Sequence, residues 1–224
     1  MRTTRTILTC LIGAGAALTG AGALSGCDYV AAATYLVEGP PKVDAAYELD
    51  AKRKTVLLID DRGNALPRRS LRRVIGEEAE QTMLSGKALK ADLTIPSSST
   101  QAVMTQERRE SPRSVVDIGR EVGADVIIYV EMSTFSLSRD GATASPLVTG
   151  SVKVFDVTAN TRLWPETPQG FPLTYAPATR SATMPGSLAE RMQQEDAVAK
   201  MFGRAVGQLF FQHERSESAQ YSKQ

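Results

Sequence analysis

Two apolar runs, Thr55-Val56-Leu57-Leu58-Ile59 and Val126-Ile127-Ile128-Tyr129-Val130, restrict the fold of this chain more than any other feature. A half-exposed strand alternates apolar and polar residues. An uninterrupted run is what a strand shows when both of its faces are covered. The chain must therefore supply helices for two sides of a sheet, and the intervening sequence does so. After Pro67, residues Leu71, Val74, Ile75, Ala79 and Met83 recur at helical spacing, with Gly86 placed as a C-cap. Ala91 to Ile95 reads as a short strand closed by Pro96, and Ser97 to Thr100 as a polar loop. A second helix follows in two parts because Pro112 interrupts it; Val115, Val116, Ile118 and Val122 form its buried stripe, ended by Gly123.

The strand from Ala124 continues through Phe135 and Leu137 to a turn at Arg139-Asp140-Gly141, where Asp-Gly favours a hairpin. Val148 to Val157 returns, Thr158 to Thr161 turns, and Arg162-Leu163-Trp164 begins another strand. Five prolines between Pro165 and Pro185 leave room for one edge strand, near Phe171 to Tyr175. Upstream, Val43, Ala45 and Tyr47 alternate as a short strand. A long helix from Ser187 to His213 carries the stripe Leu188, Met192, Ala199, Phe202, Val206, Leu209 and Phe210. The expectation is an α/β (α+β) fold, a mixed sheet packed by two to three helices. Its order is β-α-β-α-β-β(-β)-α with a long C-terminal helix. One domain is expected over 43–213, followed by a disordered tail over 214–224.

The N-terminus is of another kind. Arg2 and Arg5 precede a stretch without charge from Thr6 to Cys27, with small residues before the cysteine. A basic start, an apolar middle and a small-residue exit describe an export signal. The stretch is long enough to span a bilayer, but Gly13, Gly15, Gly20, Gly22 and Gly26 make it a poor permanent helix, and no basic cluster follows it. Leu24-Ser25-Gly26-Cys27 resembles the lipobox of bacterial lipoproteins. That resemblance implies a signal over 1–26, cut before Cys27, whose thiol carries lipid (palmitate among the acyl groups expected). A tether over 27–42 then ends in Gly39-Pro40-Pro41. Of the 2 cysteines, Cys10 falls in the signal and Cys27 is the lipid site, so no intramolecular disulfide is expected. The implied location is a bacterial membrane, inner or outer, with the domain facing the periplasm.

Beyond the lipobox, three segments resemble an envelope architecture shared by the curli-secretion lipoprotein CsgG, the penicillin-binding-protein activator LpoB and the N-terminal domain of TolB. They are Lys54 to Asp60, Gly123-Ala124-Asp125 ahead of an apolar strand, and Val152-Lys153-Val154-Phe155-Asp156-Val157-Thr158. The resemblance implies a periplasmic domain that docks on another envelope protein or cell-wall component. It does not extend to a pore. A membrane hairpin strand needs about 9 to 11 residues of alternating pattern, and the regions Ser97 to Arg113 and Ser138 to Gly150 are polar and charged.

Chemistry is sparse. With 26 basic and 25 acidic residues the chain is near neutral, which argues against nucleic acid as a partner. Its 1 histidine, His213, sits near a helix end, no serine lies in an elbow motif, and no His, Cys and carboxylate cluster has zinc spacing. A non-enzymatic protein without cofactor is therefore expected. Asp60 and Asp61 end the first strong strand, where α/β proteins place ligands. They are weak candidates for a divalent cation, and the favoured reading is that they neutralise the arginines that follow. Arg62, Arg68, Arg69, Arg72 and Arg73 gather at a helix N-terminus, against the macrodipole. Such cations must be solvated, paired, or used to meet an anionic surface. Trp164 is either an exposed anchor or core. The edge from Asp60 to Arg73 also leaves open a ligand-binding or sensor role.

Overall fold

The computed structural model describes residues 42–107, 111–177, 182–214 and 219–221. The signal, Cys27 and the tether up to residue 41 lie outside the described residues. Lys42–Gln224 form one compact unit. Its elements, in chain order, are β1 (Lys42–Val43), β2 (Thr55–Asp60), α1 (Ser70–Ser85), a 3₁₀ turn (Ala91–Leu93) and β3 (Thr94–Ile95). Next come α2 (Ser97–Thr105), α3 (Val115–Glu121), β4 (Val126–Ser136), β5 (Thr143–Ala144), β6 (Leu147–Asp156) and β7 (Thr161–Trp164). The chain closes with β8 (Phe171–Tyr175), β9 (Ala182–Thr183), α4 (Leu188–Gln208), β10 (His213–Glu214) and β11 (Ala219–Tyr221).

The main sheet has seven strands in the order β11-β8-β6-β4-β2-β3, with β7 also on β6. β2 runs parallel to β4 from Thr55 opposite Val126 to Asp60 opposite Glu131, and β4 runs antiparallel to β6. All six residues of β2 are buried, as its unbroken apolar run requires. Leu57 and Ile59 enter the core shared with α1 and α4, whereas Val56 and Leu58 enter the core under α2 and α3. β6 is covered on one face only and alternates: Val148, Gly150, Val152 and Val154 are buried, while Thr149, Ser151 and Lys153 line the other side. The mixed α/β architecture with a long final helix is the one expected from the sequence.

α1 and α4 pack side by side and run the same way. Arg68 lies level with Glu195, Ile75 with Gly203 and Ala79 with Gly207. The helices approach this closely because two glycines of α4 face α1 backbone. A Cβ on Gly203 would sit 2.5 Å from the Ile75 carbonyl oxygen, and one on Gly207 2.8 Å from that of Ala79. Gly86 does cap α1, but with φ −77°; the left-handed residue is Lys87, at φ 59°.

Several local expectations are corrected. Ser97 to Thr100 is the first turn of α2, not a loop. Pro96 stops the strand and opens the helix, and the Glu80 carboxylate of α1 accepts the Ser97 N–H. Thr100 is fully buried because its hydroxyl has backbone partners, donating to the carbonyls of Leu57 (2.9 Å) and Ser97 (2.8 Å). Of Ala91 to Ile95 only Thr94–Ile95 is strand. The strand expected over Val43, Ala45 and Tyr47 is limited to Lys42–Val43, since the N–H groups of Ala46 and Tyr47 both turn to the Leu209 carbonyl. β8 is not an edge, because β11 pairs outside it. That pairing covers Leu173 to Tyr175 and stops before Pro172, which has no N–H to offer. Within 214–224, Glu214 belongs to β10, which pairs with β1, and Ala219–Tyr221 form β11 on β8, through backbone pairing that needs no apolar pattern.

The α1–α2 junction gives a pH-dependent prediction. Burial, with some help from Glu77, raises the Glu80 carboxyl above the ordinary glutamate value, although the bonds from Ser97 oppose this. The folded state thus favours protonated Glu80. Its contribution grows as pH falls from the raised folded value through the ordinary range near about 4.3, and is lost at neutral pH. In urea denaturation, Glu80→Gln is expected to be at least as stable as wild type at pH 7. Wild type should gain on the variant as pH is lowered toward 4.

Candidate functional site

Three places bring polar or apolar groups together without an obvious packing partner in the sequence. The first is the carboxyl end of β2 and β4. Asp60 is 3% exposed and accepts from the Tyr129 hydroxyl (2.9 Å) and from the Arg62 N–H (2.9 Å). The Arg62 guanidinium lies 3.3 Å from the same carboxylate and donates to Glu107 (2.8 Å) and to the Arg113 carbonyl (3.0 Å). Burial first, and then the Asp60 charge, push the Tyr129 phenol far above its ordinary value. Tyr129 is thus a neutral donor, not a base. Partial burial works against the charge of Arg62, but Asp60 and Glu107 outweigh it and hold the guanidinium protonated.

Asp61 serves different donors. Its Oδ1 accepts from the N–H groups of Ala65 (2.6 Å) and Leu66 (3.2 Å), which folds the loop into α1. The two adjacent carboxylates therefore do not converge on one point. Among the described residues no group of three or more His, Cys, Asp and Glu side chains is placed to hold a metal ion.

The second place is the start of α1, where the arginine cluster divides. Arg68 reaches across to α4: Nε donates to Glu195 (2.6 Å), and Nη2 to Asp196 (2.9 Å) and the Met192 carbonyl (3.0 Å). The bond to Glu195 is the main reason its guanidinium is held above the ordinary value. Arg73 pairs with Glu77 along the helix at 3.0 Å, an exposed pair worth a few tenths of a kcal/mol. Arg69 and Arg72 have no ion pair among the described residues. Sequence reading grouped five cations by proximity in the chain. The partner of Arg68 lies 127 residues away, so nothing local could have separated it from the rest.

The third place is the first two turns of α4. Ser187 and Glu190 form a capping box, Glu190 N–H donating to Ser187 Oγ (3.2 Å) and Ser187 N–H to Glu190 (3.3 Å). Behind it Leu188 is 73% exposed and Met192 38%, although both belong to the stripe whose later members are core. The sequence showed the stripe but not that it outruns its cover.

Two further residues have packing roles. Trp164 is half-buried in an aromatic stack with Phe171 (4.9 Å between centroids) and Tyr47 (5.8 Å), and edge-on to Phe210 (6.4 Å). His213 is buried in β10 opposite Val43, its Nδ1 3.0 Å from the Phe211 carbonyl. The uncovered face of β6 and β8 forms a shallow cleft of about 410 Å3, lined by Ser133, Thr149, Ser151, Pro172, Leu173 and Thr174 among others. Among the described residues no helix is long and apolar enough to cross a membrane.

No family model matches the chain, and neither does any curated protein. Solved structures are similar in chain course. PelC from Paraburkholderia phytofirmans, solved as a dodecamer, is 14% identical, with 75% of this chain and 94% of that one covered and a TM-score of 0.39. The protein CT253 from Chlamydia trachomatis is 16% identical over 68% of this chain and 93% of that one, with a TM-score of 0.40. Lipoprotein GNA1162 from Neisseria meningitidis is 13% identical over 66% and 96%, with a TM-score of 0.35.

Proposed function

We propose that this chain is a lipid-anchored, non-enzymatic protein of the bacterial envelope, whose α/β domain docks on another envelope component in an accessory or assembly role. The observation that carries this reading is Leu24-Ser25-Gly26-Cys27 at the end of an export-type stretch, followed by a tether and a folded unit. The groups capable of chemistry also support it. Asp60, Tyr129 and Arg62 satisfy one another, and Asp61 holds a loop. A second reading, a ligand-binding or sensor lipoprotein, draws on Arg69 and Arg72, the two cations of the Asp60 to Arg73 edge without an ion pair among the described residues.

Metabolic labelling with a palmitate analogue tests the anchor. Wild type should take up label and sediment with membranes, whereas Cys27→Ala should lose the label entirely and leave the membrane fraction. A single myristoyl-type chain binds membranes only marginally, so partial acylation would show as partial release. Unlabelled wild type with residues 1–26 retained would overturn the proposal. Co-purification from detergent separates the two readings. A stoichiometric protein supports docking, and a bound small anion without one supports the sensor.

A further inference from the structure

We infer that residues 42–51, the segment by which the chain enters the domain, form a strap over Trp164 that opens and closes as a unit while the rest of the domain stays folded. The inference goes beyond the anchored reading above and does not depend on it.

The segment differs sharply from the strand it leads into. No residue from 42 to 51 is buried, whereas all six residues of β2, which begins at Thr55, are. Burial of apolar side chains raises the cost of opening a segment, so these two stretches open at very different cost. β1 is also no part of the main sheet. It makes a ladder of two residues with β10, Lys42 opposite Glu214 and Val43 opposite His213. Beyond β1 the backbone bonds converge on one acceptor, the Leu209 carbonyl, which takes the N–H groups of Ala46 (2.8 Å) and Tyr47 (3.2 Å). The Gln212 amide adds an exposed bond to Asp44 (2.8 Å). Space lies beside the strap as well. A cavity of about 530 Å3 is bounded by Asp44, Ala45 and Leu49 on one side and by Gly86, Lys87 and Phe211 on the other. A segment packed flush against the helix ends would leave no such gap.

The far end of the strap is fixed. The N–H groups of Lys52 and Arg53 turn back to Asp50, at 3.0 Å and 3.1 Å. The Arg53 guanidinium reaches Asp156 (2.9 Å) and the Asp125 carbonyl (3.0 Å), and the Lys54 N–H donates to the Asp125 carboxylate (2.9 Å). Asp125 immediately precedes β4 and Asp156 ends β6, so this turn is bolted to two central strands. It serves as a hinge: motion upstream of Asp50 stops there and does not reach β2.

The strap covers one thing in particular. Tyr47 stacks on Trp164, with 5.8 Å between centroids, and Trp164 stacks on Phe171 at 4.9 Å. Trp164 and Phe171 are only half-buried with the strap in place. Opening removes Tyr47 and widens the exposed part of the indole. Residue 41 continues directly into Lys42, so a pull from the N-terminal side acts on β1 before any strand of the main sheet. The fold thus holds an aromatic face whose exposure is set by the chain's own entry segment.

The test uses the full chain in detergent. In amide hydrogen exchange, Ala46 and Tyr47 are expected to exchange at least about a hundredfold faster than Leu57 and Ile128, at a rate that urea below the unfolding transition leaves unchanged. Lys42→Cys and Glu214→Cys, made together at positions paired across the ladder, tie the strap shut when oxidised. Oxidation should slow exchange at Ala46 and Tyr47 about tenfold, and reduction of the same protein should restore it. Ala46→Pro removes one of the two bonds to Leu209 and favours the open strap. Trp164 is the only tryptophan of the chain, so its fluorescence reads the result. Acrylamide quenching should rise about twofold, with a melting temperature within about 4 °C of wild type. Four results would each overturn the inference: exchange at Ala46 and Tyr47 as slow as at Leu57, exchange indifferent to the disulfide, quenching unchanged by Ala46→Pro, or loss of the cooperative melt in that variant.

Discussion

Gly203→Val is expected to leave the domain unfolded or strongly destabilised, and Gly203→Ala to lower its stability by about 1 to 3 kcal/mol. The two effects of alanine oppose each other. Helix propensity favours alanine over glycine by about 1 kcal/mol in a helix interior. Against this, the new methyl would meet the Ile75 carbonyl oxygen at 2.5 Å, and that oxygen belongs to helix backbone, which cannot swing aside. The overlap wins because relieving it means sliding α4 off α1, which opens the core around Phe202, Ala199 and Val206, all 0% exposed. Valine adds two methyls at the same place. Thermal melts check this, with a drop of about 2–4 °C for each kcal/mol in a domain of this size. Gly63→Ala is the control, since nothing lies within 4 Å of its added carbon and its effect should stay within about 0.5 kcal/mol. An unchanged melting temperature for Gly203→Ala would refute the account of parallel helices held together by missing side chains.

Asp60→Ala should cost about 2 to 4 kcal/mol, the second large effect. It strands the buried Tyr129 hydroxyl and removes the carboxylate beneath Arg62. The lower half of that range reflects Arg62, whose side chain is 36% exposed and recovers part of its hydration. Tyr129→Phe should cost about 1 kcal/mol, because Asp60 keeps its contacts with Arg62. The double variant should then be less damaging than the sum of the singles by about 0.5 to 3 kcal/mol, the signature of groups acting on each other. Denaturant titrations of the three variants close the cycle. Should Asp60→Ala prove as stable as wild type, the carboxylate would be kept for a ligand, and the sensor reading would gain at the expense of docking.

The sequence made the double cover of β2 legible because all six of its residues are buried. It revealed α1 and α4 for the same reason: their stripes are long enough to show a period. The start of α2 escaped notice because Thr100 is buried through hydroxyl bonds to two carbonyls and contributes nothing to an apolar pattern. β10 and β11 escaped because pairing through main-chain groups leaves no mark on side-chain choice. The candidate site was half visible. Five arginines stood out by composition. Their division into Arg68, locked to Glu195 and Asp196, and Arg69 and Arg72, without an ion pair among the described residues, depends on contacts with α4 far along the chain. The Gly203-x-x-x-Gly207 spacing was present in the letters, but only the carbonyls opposite it give it meaning.

The Thr100 hydroxyl that occupies the Leu57 carbonyl also bears on what the margin of β2 can pair with. Beyond the two residues of β3, the outer margin of β2 offers no free acceptor at Leu57, so a neighbouring molecule finds no place there to stack its own ribbon. One threonine on a short helix closes this acceptor and so removes one point at which a second strand could pair with β2.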